Sequence, residues 1–332
     1  MIRAMLLLSI ALTAVPVDAA ELLVGNKSAD SVWRLSTADG RKLGEIATGQ
    51  GPHEIAVSAD GRLALVSNYG AAAPGHSLSV LDLHDGKSPR TLDLGEHGRP
   101  HGMRWLPDGR RAVVTTEASR RLLLVDIAAG KTEAAVDLGD GRGHMVALSA
   151  DGKVAYVTKI DRGTLSRIDL ASRRKTHEIG AGAGAEGVAT RPDSGEVWVS
   201  NREAGTVTVH DPATLAIRHT VPSPGFPIRV VFTPDGRHAL VTNARAATLA
   251  VIDAENKRVI QTVELARAGA AYRDTMLGRA ALPIGVIADP LRPRAYVAIS
   301  GGDEIAVIDT REWKVVEHWK TGREPDALGI VE

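Results

Sequence analysis

Short apolar runs separated by turn residues follow one another along most of the chain, a pattern that predicts β-strands rather than helices. Residues 55–58 and 63–67 are two such runs, and Asp60 and Gly61 lie between them. The Asp-Gly pair supplies the positive φ angles that a tight hairpin requires, and it returns at positions 108, 151 and 235. Residues 77–83 then alternate apolar and polar side chains, and a fourth run covers 90–94. One such unit therefore predicts four short strands.

This unit occurs seven times. The equivalent position just before its first strand falls at residues 53, 101, 144, 186, 228, 284 and 326, and four of the six steps are 42 or 43 residues long. Four strands at this period are typical of a β-propeller blade. The second to fourth strands of the first blade are the runs at 21–25, 31–35 and 43–47, whereas its first strand is the run at 327–331. We therefore predict an all-β fold, a single seven-bladed propeller with four antiparallel strands per blade, whose ring is closed by pairing the C-terminal strand with the N-terminal strands.

The first twenty residues have the three parts of a secretory signal peptide. A basic start at Arg3 precedes an apolar run at 5–17, and small residues follow at Ala19 and Ala20. The run is too short for a transmembrane helix, and no later stretch is long enough, so we expect no membrane span. A buried N-terminal helix is the alternative, and Pro16 disfavours it. We expect cleavage near residue 20, a periplasmic or secreted protein, and one propeller domain over residues 21–332.

The amino-acid composition excludes several classes of cofactor and partner. The chain of 332 residues has no cysteine, which excludes iron–sulfur clusters and covalently attached haem c. It carries 40 basic and 40 acidic residues, so broad nucleic-acid binding is not expected. No glycine-rich loop leads from a strand into a helix, and we expect no nucleotide cofactor. Histidine and carboxylate side chains remain as the main candidate metal ligands.

The second strand of the unit carries a recurrent motif. It reads Ala-Tyr-Val-Thr at 155–158, Leu-Val-Ser-Asn at 65–68 and Leu-Val-Thr-Asn at 240–243. This repeat resembles the YVTN family of β-propellers, which implies the same fold. Similar repeats occur in surface-layer proteins, in lactonases and in streptogramin lyases, and residues 65–70 resemble the lactonases. The resemblance implies a fold and leaves the activity open, because one fold carries many functions.

A candidate metal site comes from the register of the repeats. The seven equivalent positions should meet at one mouth of the central channel, and histidines occupy three successive ones. Imidazole and carboxylate groups suit divalent zinc, copper, iron, manganese or nickel. We therefore predict a metal site, and the alternatives for the histidines are hydrogen bonds to a small molecule or a purely structural role. Its expected ligands are His53, His101, His144 and Glu186.

Loops on the same face should bind a ligand. The loops after the second strands form its wall, and Glu117 is among their polar residues. Two insertions extend this face, at 69–76 and at 266–282, and the composition of the second favours a short helix that serves as a lid. A loose surface loop is the alternative. The predicted ligand-binding residues are Tyr69, Arg202, Arg245, Tyr272, Arg273, Arg279 and Asp326.

These features favour an exported propeller that binds a metal ion or a small ligand at the channel mouth. One alternative is a metal-dependent lactonase-type hydrolase or lyase, for which His101, His144 and Glu186 are the catalytic candidates. Another is a scaffold that binds a second periplasmic protein and has no small-molecule site. Whether the protein is an enzyme stays open at this point.

Overall fold

The structure, a computed structural model, describes residues 20–85 and 88–332. It contains seven four-stranded antiparallel sheets, and the innermost strands of successive sheets contact one another around a ring. The predicted seven-bladed propeller is therefore confirmed. The predicted signal peptide lies outside the described residues, apart from Ala20. Within the described part of the chain, no helix has the length and apolar character to cross a membrane.

The four strands of a blade are named by their place from the channel outward: innermost, second, third and outermost. The blades are numbered 1 to 7 in the chain order of their second strands. The innermost strands of blades 1 to 7 are Pro325–Val331, Pro52–Val57, Pro100–Trp105, Gly143–Leu148, Ala185–Thr190, Pro227–Phe232 and Pro283–Ala288. The second strands are Glu21–Asn26, Leu63–Gly70, Arg111–Thr116, Val154–Lys159, Val197–Asn201, His238–Asn243 and Arg294–Ile299. The third strands are Ser31–Ser36, Pro74–Asp82, Arg121–Asp126, Thr164–Asp169, Thr206–His210, Thr248–Asp253 and Glu304–Asp309. The outermost strands are Lys42–Ala47, Arg90–Asp93, Lys131–Asp137, Arg174–Gly180, Ile217–Pro222, Arg258–Glu264 and Lys314–Lys320.

The core lies between the blades. Second strands such as Val154–Lys159 are buried along their whole length, whereas the outermost Lys131–Asp137 alternates between exposed and partly buried residues. Leu65 and Leu78 of blade 2 pack in one cluster with Val114 of blade 3. Each blade thus buries both faces of its middle strands against its neighbours, which explains their nearly continuous apolar sequence.

Blade 1 closes the ring. Its innermost strand pairs antiparallel with Glu21–Asn26, and Leu22 lies opposite Ile330. The predicted closure by the C-terminal strand is confirmed.

The second insertion differs from its predicted form. Instead of a helix it contains a two-stranded hairpin, Asp274–Thr275 paired with Gly278–Arg279. Gly269 and Gly278 have φ angles of 73° and 111°, which a right-handed helix does not allow. These two glycines outweigh the helix-favouring composition of the segment.

Candidate functional site

The seven equivalent positions are each the second residue of an innermost strand, and hydrogen bonds between blades fix their backbone. A serine or threonine hydroxyl of the recurrent second-strand motif donates to the carbonyl oxygen of this position in the next blade. The pairs are Thr115 with His144 (2.6 Å), Thr158 with Glu186 (2.6 Å), Ser200 with Ile228 (2.7 Å) and Thr242 with Ile284 (2.8 Å). In these four of the seven contacts between blades, the hydroxyl residue of the motif therefore ties a blade to its neighbour beside the channel mouth.

The rings of the three histidines contact one another in a row, edge to face between His53 and His101 and tilted between His101 and His144. The ring centroids of His53 and His101 are 4.3 Å apart, and those of His101 and His144 are 3.8 Å apart. His101 is 1% exposed, and neither of its ring nitrogens has a hydrogen-bond partner among the described residues. Burial and the adjacent His144 hold the pKa of His101 well below its ordinary value. His101 is therefore a neutral imidazole with a free lone pair.

His144 lies between two carboxylates. Its Nδ1 is 2.6 Å from Glu117 Oε1, and its Nε2 is 2.8 Å from Glu186 Oε1. Burial lowers the pKa of His144, but the two carboxylates outweigh burial and raise the pKa to about 9. Burial raises the pKa of Glu117, but the hydrogen bond and charge of His144 outweigh it and lower the pKa to about 2. Near neutral pH, His144 is thus an imidazolium that donates to both carboxylates.

One group in the described part of the chain has the composition and spacing of a metal site. His101, Glu117 and His144 each offer a ligand atom, and these atoms lie within 4.8 Å of one another. All three residues are buried. The unpartnered nitrogens of His101 fit a metal ion, because a buried polar atom without a partner is costly. Two imidazoles and a carboxylate are also a common zinc ligand set that leaves one position open.

Glu186 has a supporting position in this arrangement. It binds His144 on the ring nitrogen opposite Glu117, and its other oxygen accepts a hydrogen bond from Arg202 Nη1 at 2.8 Å. Arg229 Nη1 is 3.6 Å from Glu186 Oε1. A carboxylate that fixes the far nitrogen of a ligating histidine orients the ring and sets its tautomer.

His53 lies at the edge of the cluster. Its Nδ1 is 2.8 Å from Asp326 Oδ2, and Lys27 Nζ is 3.7 Å from the same oxygen. Burial raises the pKa of Asp326, but the charges of His53, Lys27 and Arg229 outweigh burial and lower it. The four predicted metal ligands are thus neighbours: the His101 ring lies between those of His53 and His144, Glu186 bonds His144, and Nδ1 of His53 pairs with Asp326.

The other predicted ligand-binding residues divide into two groups. Tyr69 donates its hydroxyl to Glu117 Oε2 at 2.6 Å, and burial together with the charge of Glu117 raises the pKa of Tyr69. Arg202 and Asp326 also line the channel mouth. Arg245 lies over the Phe226 ring, 3.9 Å from its centroid.

The three predicted residues of the second insertion bind the insertion and blade 7. Tyr272 packs against the core between blades 6 and 7, and Arg273 Nη2 bonds Asp303 at 2.5 Å. Arg279 Nε donates to the Tyr272 carbonyl at 3.0 Å. The insertion residues that line the channel mouth are instead 274–277 in the hairpin and Leu282 at the end of the insertion.

The mouth widens into a cavity of about 1050 Å³, which we call the upper chamber. A second cavity of about 740 Å³, the lower chamber, lies along the other half of the innermost strands. Arg229 and Asp326 line both chambers. Arg229 also forms an ion pair with Glu54, from blade 6 to blade 2, across the channel. This buried pair stands between the two chambers.

Sequence reasoning placed Glu117 in the chamber wall and not among the metal ligands. Glu117 is the residue that follows the second strand of blade 3. The equivalent position in five other blades also lines the upper chamber, although in blade 2 the longer second strand includes it: Lys27, Tyr69, Ile160, Arg202 and Ser300. These residues form a second ring around the histidines, and the spacing of the repeats contains the signal for it.

Comparison with known proteins supports the fold. The solved structure "Kuenenia stuttgartiensis Hydrazine Synthase" superposes with a TM-score of 0.71 at 18% identity, covering 87% of this chain and 92% of the other. A functionally unknown protein from Desulfotomaculum acetoxidans DSM 771 gives a TM-score of 0.77 at 14% identity, covering 94% and 99%. At such identities the likeness concerns the fold alone.

No curated protein shows a significant sequence match. A family model described as YNCE-like beta-propeller matches residues 146–274, and together with the seven blades this match confirms the resemblance to YVTN-type β-propellers.

Proposed function

We propose that the upper chamber binds one divalent transition-metal ion through His101, His144 and Glu117. The observation that carries the proposal is the buried imidazole of His101, whose two nitrogens lack partners in the described part of the chain although His144 and Glu117 lie beside it. Zinc suits two imidazoles and one carboxylate, and copper, iron, manganese and nickel use the same ligand types. Glu186 orients His144 from outside the ligand set.

Metal binding to this site displaces a proton. At pH 7 His144 is protonated on both ring nitrogens, because its two carboxylate partners raise its pKa to about 9. A ligating imidazole must give up the proton on the ligating nitrogen. We therefore expect zinc binding to release about one proton per ion near neutral pH.

Calorimetric titration of the chelator-treated protein with zinc tests the proposal. We expect a stoichiometry of one, and heats in buffers of different ionisation enthalpy report the released proton. His101→Gln removes a ligand and should abolish binding, whereas His53→Gln changes a neighbouring histidine whose side chain is 14% exposed and should leave the affinity within about threefold. Glu186→Gln should weaken binding by about 10- to 100-fold. No binding of any of the five metals, or equal binding by the His101→Gln variant, would overturn the proposal.

A second candidate function is metal-dependent hydrolysis or elimination at the same site. Three protein ligands leave a position open toward a cavity of about 1050 Å³, and an open position is the mark of catalytic zinc sites. Lys27, Arg99, Arg142 and Arg202 line this cavity and suit an anionic or lactone-type substrate. Turnover of a panel of lactones, lost with a chelator and restored by zinc, would support it. Zinc binding without turnover would leave a binding protein or a scaffold for another protein.

We also propose that the protein is exported. The basic start, the apolar run at 5–17 and the small residues before position 21 support a cleaved signal peptide. N-terminal sequencing of protein from the periplasmic fraction or the medium should begin near residue 21. A protein that keeps Met1 and stays in the cytoplasm would contradict export.

A further inference from the structure

The walls of the lower chamber are mostly apolar, and the charged residues that line it are Glu54, Arg104, Arg229 and Asp326. Its walls are the second halves of the innermost strands, and its mouth is formed by turn residues such as Ala59 and Pro107. Several of its wall residues are only half-buried, because the channel leaves them uncovered: Val57, Trp105, Phe232, Ile287 and Ile330. A concave apolar cavity of about 740 Å³ is of the size that holds a small organic molecule.

One cation in this wall has no counterion. The Arg104 guanidinium donates to the Met103 carbonyl at 2.8 Å, and no carboxylate of the described residues lies within ion-pair distance of it. Glu54 is the carboxylate whose charge acts on it, but Glu54 is already paired with Arg229. Arginine stays protonated in proteins, so the Arg104 guanidinium is a positive charge without an ion-pair partner among the described residues, although the two cations and two carboxylates that line the chamber balance in number. Such a charge next to apolar walls is costly until an anion binds it.

A buried ion pair lies between the lower chamber and the histidine site. The Arg229–Glu54 pair lies across the channel, and both residues are buried. A ligand therefore enters from the mouth at the turns. It meets a ring of apolar side chains, the unpaired Arg104 guanidinium and, at the inner end, the Arg229–Glu54 pair and Asp326.

We propose that the lower chamber binds a monocarboxylate with an apolar body, and that this site is independent of the metal site. Arg104 binds the carboxylate through two parallel N–H donors, and the apolar body packs against the half-buried side chains of the wall. One unpaired cation matches one negative charge, which favours a monoanion over a phosphate dianion. The site takes its specificity from this combination of one charge and an apolar enclosure.

The probe is decanoate, titrated into the full chain by calorimetry at low and at physiological salt. We expect one binding site, and at least tenfold weaker binding of decan-1-ol and of decylamine, because neither offers a carboxylate to the guanidinium. Arg104→Met keeps an apolar side chain of similar length and should weaken decanoate binding at least tenfold. Arg237→Met removes a guanidinium whose side chain is 79% exposed and should bind as the wild type does.

Several outcomes would overturn the proposal. Equal binding of decanol and decanoate would show an apolar cavity without carboxylate recognition, and so would unchanged affinity in the Arg104→Met variant. Absence of decanoate binding up to about 1 mM would show that the chamber holds no such ligand. Competition between zinc and decanoate would place the carboxylate in the upper chamber. Circular dichroism and the melting temperature of Arg104→Met establish that a loss of binding does not reflect unfolding.

Discussion

Replacing either partner of the Arg229–Glu54 pair removes half of the ion pair that crosses the channel. Glu54 and Arg229 are 8% and 7% exposed, and a buried ion left without its partner costs about 3–5 kcal/mol. The two replacements should not cost the same. In Glu54→Gln, Arg229 keeps Glu186 at 3.6 Å and the charge of Asp326, so we expect about 2 kcal/mol, below that range. In Arg229→Met, all three carboxylates lose their shared cation, and we expect about 4 kcal/mol.

The double variant decides whether the pair acts as a unit. Glutamine needs no counterion, so Glu54→Gln should recover part of the loss in the Arg229→Met background. Urea unfolding followed by tryptophan fluorescence gives the four free energies of unfolding, and we expect a coupling energy of about 1.5–3 kcal/mol. Glu45→Gln in the surface pair with Lys42 is the matched control and should leave stability unchanged. Losses that add to within about 0.5 kcal/mol would refute the reasoning, because they would show a solvated pair in a wet channel.

Two further predictions concern the channel mouth and the contact between blades. In the metal-free protein, the pKa of His144 is raised to about 9 from an ordinary 6.5, so the stability from its carboxylate partners is complete below about pH 6.5 and is lost as the pH rises through 9. Glu117, with its pKa lowered to about 2 from 4.5, contributes stability above about pH 4.5 that is lost as the pH falls toward 2, and urea unfolding between pH 3 and 10 checks both slopes. A Cβ on Gly285 would lie 2.0 Å from the Asp326 carbonyl oxygen, whereas one on Gly44 has no neighbour closer than 3.9 Å. Gly285→Ala should therefore lower the free energy of unfolding by about 2–3 kcal/mol and Gly44→Ala should not lower it, and equal effects would contradict the close approach of the strands.

The sequence predicted the fold because each blade carries its own local signals. The Asp-Gly turn at 60–61 and the alternation at 77–83 mark a hairpin and a strand, and both return at a period near 42 residues. A repeat also fixes which residues are equivalent. For this reason the channel positions of His101, His144 and Glu186 were predictable before any coordinates were known.

The rest of the site depends on contacts that a repeat does not encode. Glu117 follows a strand like six other residues, and only the packing shows that its carboxylate turns toward His144 rather than toward solvent. The insertion at 266–282 has no counterpart in the other blades, so its form rested on helix propensity alone. Gly269 and Gly278, with their positive φ angles, favour the hairpin over a helix. Arg273 bonds Asp303 and does not line the channel mouth.

Pairing of Pro325–Val331 with Glu21–Asn26 also has a consequence for the order of folding. Six blades are contiguous meanders, so their strand pairs join neighbouring segments of the chain. Blade 1 alone joins strands about 300 residues apart, so it carries nearly the whole loop-closure entropy of the ring and forms late. We expect the same strand pair to open first when the native protein unfolds locally. Backbone amides of Glu21–Asn26 that bond the closing strand should exchange with solvent faster than those of the equivalent second strands, although they are buried equally well.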